Sequence, residues 1–205
     1  MATRRKTYKL RGGDVYDVEE YPDGRYGAEG KVRQKKKKPT PEQMAAVNQA
    51  NRAKICRRLL IEYFDTGDYF VTYTYKVEQR PKDMAAALKD LQKAIRKLRP
   101  KYKKANTPFC WIRNIERGTK GAWHIHLVIK KTSGAADWIE DAWEHGAVYI
   151  TQIKKSRFYD EDFTKLANYI TKNEKTREKR SDGSKGKPRL KEASYGHARN
   201  MPLRG

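Results

Sequence analysis

Apolar positions along the chain follow two rhythms. In "DYFVTYTYKV" (68–77) β-branched and aromatic residues crowd a short run, the composition of a strand. In "PKDMAAALKDLQKAIRKLRP" (81–100) Met84, Leu88, Leu91, Ile95 and Leu98 recur at helical intervals, and Pro100 is the expected stop. "PFCWIRNIER" (108–117) and "AWHIHLVIK" (122–130) read as two strands around a glycine-containing turn. A short helix over 134–146, ended by Gly146, precedes a strand over 147–153. A last helix over 160–173 puts Phe163, Leu166, Ala167 and Ile170 on its apolar side. Upstream, Thr40 as cap and Pro41 in the first turn open a helix that runs to about Phe64.

From residue 68 the order is β-α-β-β-α-β followed by one more helix. That order predicts an α+β fold of ferredoxin-like type, an antiparallel sheet with helices packed on one face. Three regions follow. Residues 1–40 form a basic extension with a small hairpin expected around Pro22-Asp23-Gly24, closed by the linker "RQKKKKPT" (33–40). Residues 41–175 form the domain proper. Residues 176–205 form a basic tail: from 174 onward the chain holds ten Lys/Arg against four Asp/Glu and few apolar residues, which predicts a flexible segment that touches a polyanion. The alternative is that Leu190, Tyr195, Met201 and Leu203 dock on the sheet.

Charge narrows the partner. Lys and Arg number 47 against 25 Asp and Glu, a formal charge of +22, which attracts nucleic acid and repels other cations. An anionic membrane would want a broad apolar helix face or a lipid-anchor motif, and neither is present. No run reaches the roughly 20 apolar residues of a bilayer span. The basic start lacks the apolar core of a secretion signal. Cys56 and Cys110 make no metal-type pair and suit a reducing interior, so a location inside the cell is expected.

The candidate chemistry lies in "GTKGAWHIHLVIK" (118–130). Residues two apart share a strand face, so Trp123, Ile125, Leu127 and Ile129 point to the core while His124, His126 and Val128 point to the open face. If Thr119-Lys120-Gly121 is a three-residue loop with Gly121 left-handed, Gly118 pairs with Ala122 and Glu116 lies opposite His124. Facing residues have Cβ atoms roughly 5 Å apart. Glu116, His124 and His126 then converge, and two imidazoles with a carboxylate suit a divalent metal. The plain alternative is a pair of solvent-facing histidines. Tyr169 and Lys172, three apart, share a helix face beside the apolar stripe. By spacing alone they are a rim tyrosine and a solvated lysine.

Together these motifs resemble the HUH endonucleases that initiate rolling-circle replication. "FVTYTYK" (70–76) is similar to their first motif, "WHIHLVI" (123–129) to the His-hydrophobic-His motif, and "NYITK" (168–172) to the Tyr-x-x-Lys motif. Glu116, eight residues before His124, stands at the third-ligand position of many such initiators. The resemblance spans about 68–173. The tyrosine follows the histidines, as in replication initiators and single-tyrosine transposases, and a second tyrosine on this helix is absent. The resemblance implies an Mg²⁺- or Mn²⁺-dependent transesterification on single-stranded or hairpin DNA at a replication origin. Tyr169 would be the nucleophile, with Lys172 beside the phosphate or the phenol. Arg57, Arg58, Arg113, Lys130, Lys131, Lys154 and Lys155 are candidate phosphate contacts, and Tyr73 and Tyr75 candidate base contacts, with Trp111 the better fit to packing. The sequence contains no Walker-type glycine loop, so a host helicase and polymerase are expected partners, on a plasmid, phage or mobile element. The competing readings are a single-tyrosine transposase and a non-catalytic nucleic-acid binder.

Overall fold

The computed structural model describes residues 3–22, 38–156, 160–177, 181–184 and 186–203. Strands β1 (Thr3–Leu10) and β2 (Val15–Pro22) form a hairpin. Helix α1 (Pro41–Tyr63) leads to β3 (Tyr69–Thr74), α2 (Met84–Lys104), β4 (Trp111–Gly118) and β5 (Trp123–Ile129). Then come α3 (Ala135–Asp141), β6 (Val148–Gln152), α4 (Thr164–Ile170) and β7 (Leu190–His197). Five strands make one sheet in the order β6-β3-β5-β4-β7, every neighbour antiparallel. The first four of these have the ferredoxin-like order, so the α+β expectation holds.

Helices α2 and α3 cover one face, as expected. Leu91, Leu98 and Ile139 pack there on Val71, Tyr73, Ile125 and Leu127, all fully buried. The opposite face is not open along its length. Leu59, Leu60 and Phe64 of α1 meet Ala167 and Ile170 of α4 over Ile112 and Val128. The histidine face is therefore roofed on its β4–β5 side.

α1 starts where capping chemistry puts it. The Thr40 hydroxyl accepts from the Gln43 amide (3.2 Å) and the Gln43 side chain accepts from the Thr40 amide (2.9 Å), with Pro41 in the first turn. Pro100 does not stop α2, which continues to Lys104. A proline there cannot donate to the Arg96 carbonyl, but the last turn is held by Tyr102. That ring is fully buried and its hydroxyl donates to the Lys130 carbonyl at 2.6 Å.

Both flanks depart from expectation. The N-terminal hairpin turns at Arg11–Gly13, where Gly12 and Gly13 take φ of 68° and 113°. It does not turn at Pro22-Asp23-Gly24, and Asp23 and Gly24 lie outside the described residues. The hairpin docks on α1: Leu10 is buried, Asp17 accepts from Arg58 (2.6 Å) and Arg57, and Glu19 pairs with Arg58 and Lys54, both at 2.9 Å. The C-terminal segment is not a flexible tail over 190–203. β7 adds to the sheet beside β4, Ala198 and Met201 are buried, and the Tyr63 hydroxyl donates to the Pro202 carbonyl at 2.6 Å. Alternating apolar residues, sparse but correctly spaced, outweigh the local charge once a sheet edge is available to pair with.

Candidate metal and nucleophile site

The β4–β5 hairpin builds the site. The Gly118 amide donates to the Ala122 carbonyl (2.8 Å), the Gly121 amide to the Gly118 carbonyl (2.9 Å), and Gly121 has φ of +83°. That turn sets Glu116 opposite His124 and Asn114 opposite His126, the register expected from the loop length. Ligand atoms of Glu116, His124 and His126 all lie within 4.8 Å of one another.

Each member is oriented by a second contact. His126 is buried, with Nε2 3.0 Å from Glu116 Oε1 and Nδ1 3.1 Å from the Thr72 hydroxyl. A hydroxyl both gives and accepts, so Thr72 serves either tautomer of His126. The Lys172 ammonium stands 3.0 Å from Glu116 Oε2. Burial alone would raise the Glu116 pKa, but the His126 hydrogen bond and the His126 and Lys172 charges prevail and hold it below the usual carboxylate range. Burial, then the neighbouring His126, pushes the His124 pKa below its ordinary value. A carboxylate anion beside an imidazole that favours its neutral form is the donor set a divalent cation wants. Glu116 Oε2 is buried and, apart from the ammonium contact, receives no hydrogen bond of good geometry. The residues therefore fit a metal ion.

Tyr169 meets this group from α4. Its ring centroid is 5.4 Å from that of His126 and 5.8 Å from that of Phe70, and Lys172 Nζ lies 4.1 Å from the ring centre. Lys172 sits just past the helix, which ends with Thr171 as its cap, so the two side chains meet through that turn. α4 is short and is anchored at both ends. Buried Asp160 accepts from the Lys165 and Leu166 amides at 2.6 and 2.9 Å. At the other end Gln49 of α1 donates to the Thr171 carbonyl (2.9 Å) and accepts from Asn173 (2.7 Å), while Asn114 donates to the Lys172 carbonyl (3.2 Å). Two clefts flank Tyr169. One, of about 460 Å³, is lined by Phe70, Thr151, Lys154 and Lys165; the other, of about 450 Å³, by Glu116, His124, Lys172 and Arg189.

The expected nucleic-acid contacts divide sharply. Tyr73 is fully buried on the α2–α3 side, stacked on Trp143 at 4.5 Å, and Tyr75 packs on the same ring at 5.0 Å with its hydroxyl toward Asp90. Neither can stack on a base; both belong to the strand face that turns away from the site. Arg58 is buried in ion pairs with Asp17 and Glu19, and Arg57 is shared between Asp17 and Asp162. Arg113 donates to the Ser194 carbonyl at 2.7 Å, pinning β7 to β4. Lys130 pairs with Asp65 and Asp68. These four cations hold the fold together. Lys131 and Lys154 are exposed and Lys155 half-buried. Trp111 packs against both cores, as expected.

Sequence reasoning missed Thr72, Asn114, Gln49 and Arg189. Thr72 and Asn114 occupy the same sheet row as His126, a placement that strand register alone would have given. Gln49 and Arg189 reach the site through tertiary packing, for which no local pattern exists.

A model of the replication-associated protein family of ORF2 type matches residues 68–174, just over half the chain. No curated protein matches. Among solved structures, the chain is similar to the crystal structure of the hypothetical protein ORF119 from Sulfolobus islandicus rod-shaped virus 1. The identity is 17%, the TM-score 0.37, and the match covers 57% of this chain and 89% of that one.

Proposed function

The chain belongs to the ORF2-type replication-associated protein family, and from that premise we propose that it is a replication initiator which nicks and rejoins single-stranded DNA at an origin through Tyr169. The observation that carries this reading is the meeting of three elements at one point: Tyr169 of α4 against His126 of β5, with Lys172 bridging the ring and Glu116 of β4.

Glu116, His124 and His126 would hold Mg²⁺ or Mn²⁺. Such an ion polarises a phosphate oxygen and stabilises the departing 3′-oxygen. The chain's own residues do the rest. Thr72 fixes the His126 ring by its Nδ1 contact, leaving Nε2 directed at the site. The Tyr169 phenol oxygen attacks phosphorus, losing its proton; the P–O3′ bond breaks and the 3′-oxygen leaves as a hydroxyl. The product is a 5′-phosphotyrosine that keeps the phosphodiester energy for rejoining. Lys172, already beside the ring, favours the phenolate by its charge. Lys154 and Lys165, in the cleft next to Tyr169, suit backbone phosphates of the strand.

The test is a nicking assay on origin-derived single-stranded DNA with Mn²⁺, scored for a protein–DNA adduct that survives denaturation. Tyr169→Phe keeps the ring and loses the hydroxyl, so it should abolish the adduct and leave binding nearly intact. An adduct formed by the Phe variant would assign the nucleophile elsewhere and overturn the reading.

A further inference from the structure

One aromatic side chain on the site face takes no part in the nicking chemistry. β6 is the edge strand of the sheet, and its partly buried Val148 and Ile150 pack into the α2–α3 core. Tyr149 therefore points to the opposite face, and it is 60% exposed. Register places it beside Thr72, which is itself beside His126, so Tyr149, Thr72 and His126 form one row across three strands. Phe70 lies diagonally from Tyr149 and pairs with Thr151. Diagonal neighbours stand roughly 7–8 Å apart, within reach of aromatic rings. Phe70 in turn stacks on His126 at 5.5 Å and meets Tyr169 edge-on.

We infer that Tyr149 is a base-stacking platform, holding a nucleotide of the single strand on the sheet face next to the Tyr169 cleft. The inference rests on the single-stranded DNA reading above. Three properties of the place suit an unpaired nucleotide. The ring is presented on a strand whose backbone is paired to β3, so little order is lost when a base lands on it. The adjoining cleft carries Lys154 and Lys165, cations spaced for a phosphate backbone, beside the phenol that would attack it. Stacking is also indifferent to base identity, as a platform beside a cleavage point would need to be if sequence is read elsewhere.

The role differs from that of a second nucleophile, because it needs the ring and not the hydroxyl. Full-length protein in a chelator is titrated into fluorescein-labelled oligo(dT), and separately into single strands carrying 2-aminopurine at successive positions. Tyr149→Ala and Tyr149→Leu should weaken binding roughly 5- to 150-fold, the range of one lost base–aromatic stack. Tyr149→Phe and Tyr149→Trp should bind as the parent does. In the parent one 2-aminopurine position should be quenched on binding, and Tyr149→Ala should lose that quench. Tyr16, 58% exposed on the distant β2, is the control, and Tyr16→Ala should change neither readout. The inference is overturned if Tyr149→Ala binds within about twofold of the parent, if Tyr149→Phe falls as far as Ala, or if Tyr16→Ala gives the same loss. The Tyr169 adduct separates this from the functional reading. At saturating DNA with Mn²⁺, Tyr149→Ala should still form it, whereas a parent protein that forms none refutes the nicking proposal without altering the binding comparison.

Discussion

Lys172 and a metal ion compete for the same carboxylate, so Lys172→Met should bind Mn²⁺ more tightly while nicking more slowly. The Lys172 ammonium stands 3.0 Å from Glu116 Oε2. A cation held by Glu116, His124 and His126 would lie close to that ammonium and be repelled by it. Two unit charges 4 Å apart interact by about 1 kcal/mol in water and about 4 kcal/mol at an effective dielectric of 20. The Lys172 side chain is 21% exposed and can swing out to water, so the lower part of that range applies. About 1–2 kcal/mol corresponds to a five- to thirtyfold gain in affinity. The assay is calorimetric titration with Mn²⁺ at pH 7.5, well above the depressed Glu116 pKa, so that loss of the lysine does not act by protonating the carboxylate. Nicking by the same variant should fall, because the cation next to the Tyr169 ring is gone. Unchanged or weaker Mn²⁺ binding would refute the competition and with it the placement of the ion on Glu116.

Glu116→Ala should slow nicking and weaken Mn²⁺ binding less than His124→Ala or His126→Ala do, measured by the same titration, since two imidazoles remain. Asn114 is fully buried and holds the Lys172 carbonyl, so Asn114→Ala should cost about 1–3 kcal/mol in denaturant melts and lower the nicking rate even in folded protein. Burial raises the Asp17 pKa, but Arg58 and Arg57 outweigh it and hold the folded value low. The stability Asp17 contributes is therefore present above its unfolded pKa of about 3.9 and lost as pH falls through the folded value. Asp17→Asn should be less stable than the parent at pH 7, and urea melts of the two should converge below about pH 4. Removing residues 190–203 takes away β7 and buried Met201, and should cost at least the about 2–5 kcal/mol of one emptied core position, read as a lowered melting temperature.

What was legible in the sequence was whatever a local period or turn encodes. The alternation in "WHIHLVI" separated core from site face. One glycine at Gly121 fixed the register that brings Glu116 to His124, and the cap at Thr40 set the start of α1. What was not legible depended on which surface a segment would meet. Tyr73 and Tyr75 have the composition of a base-stacking pair, yet they lie on the strand face that α2 and α3 bury. Tyr149 lies on the face toward the site, but a tyrosine in a short edge strand carries no local signal of its side. Arg57, Arg58, Arg113 and Lys130 look like a cationic track in a chain of charge +22, but each meets a specific acceptor. Net charge says that a polyanion is attracted; it does not say which cations are free to touch it.

The same distinction bears on where the site ends. The family match stops at residues 68 and 174. The side chains that approach or bond inside that span set the metal ligands and the tyrosine in place, but the helix that carries Tyr169 has only seven residues and cannot hold itself. Its C-terminal end is tied by Gln49, which belongs to α1, and the second cleft is walled by Arg189 and Leu190, which belong to the C-terminal segment. Backbone bonding continues the pattern: the Thr119 amide in the β4–β5 turn donates to the Arg189 carbonyl at 2.9 Å. The site's chemistry and its support thus come from different parts of the chain. Gln49→Ala leaves every proposed ligand and the nucleophile untouched, yet it frees the Thr171 carbonyl and the Asn173 side chain on either side of Lys172. It should therefore lower the nicking rate several-fold while Mn²⁺ affinity stays at the parent value, because the ligands lie on β4 and β5. A Gln49→Ala protein that nicks at the full rate would show that α4 is held by its apolar contacts alone.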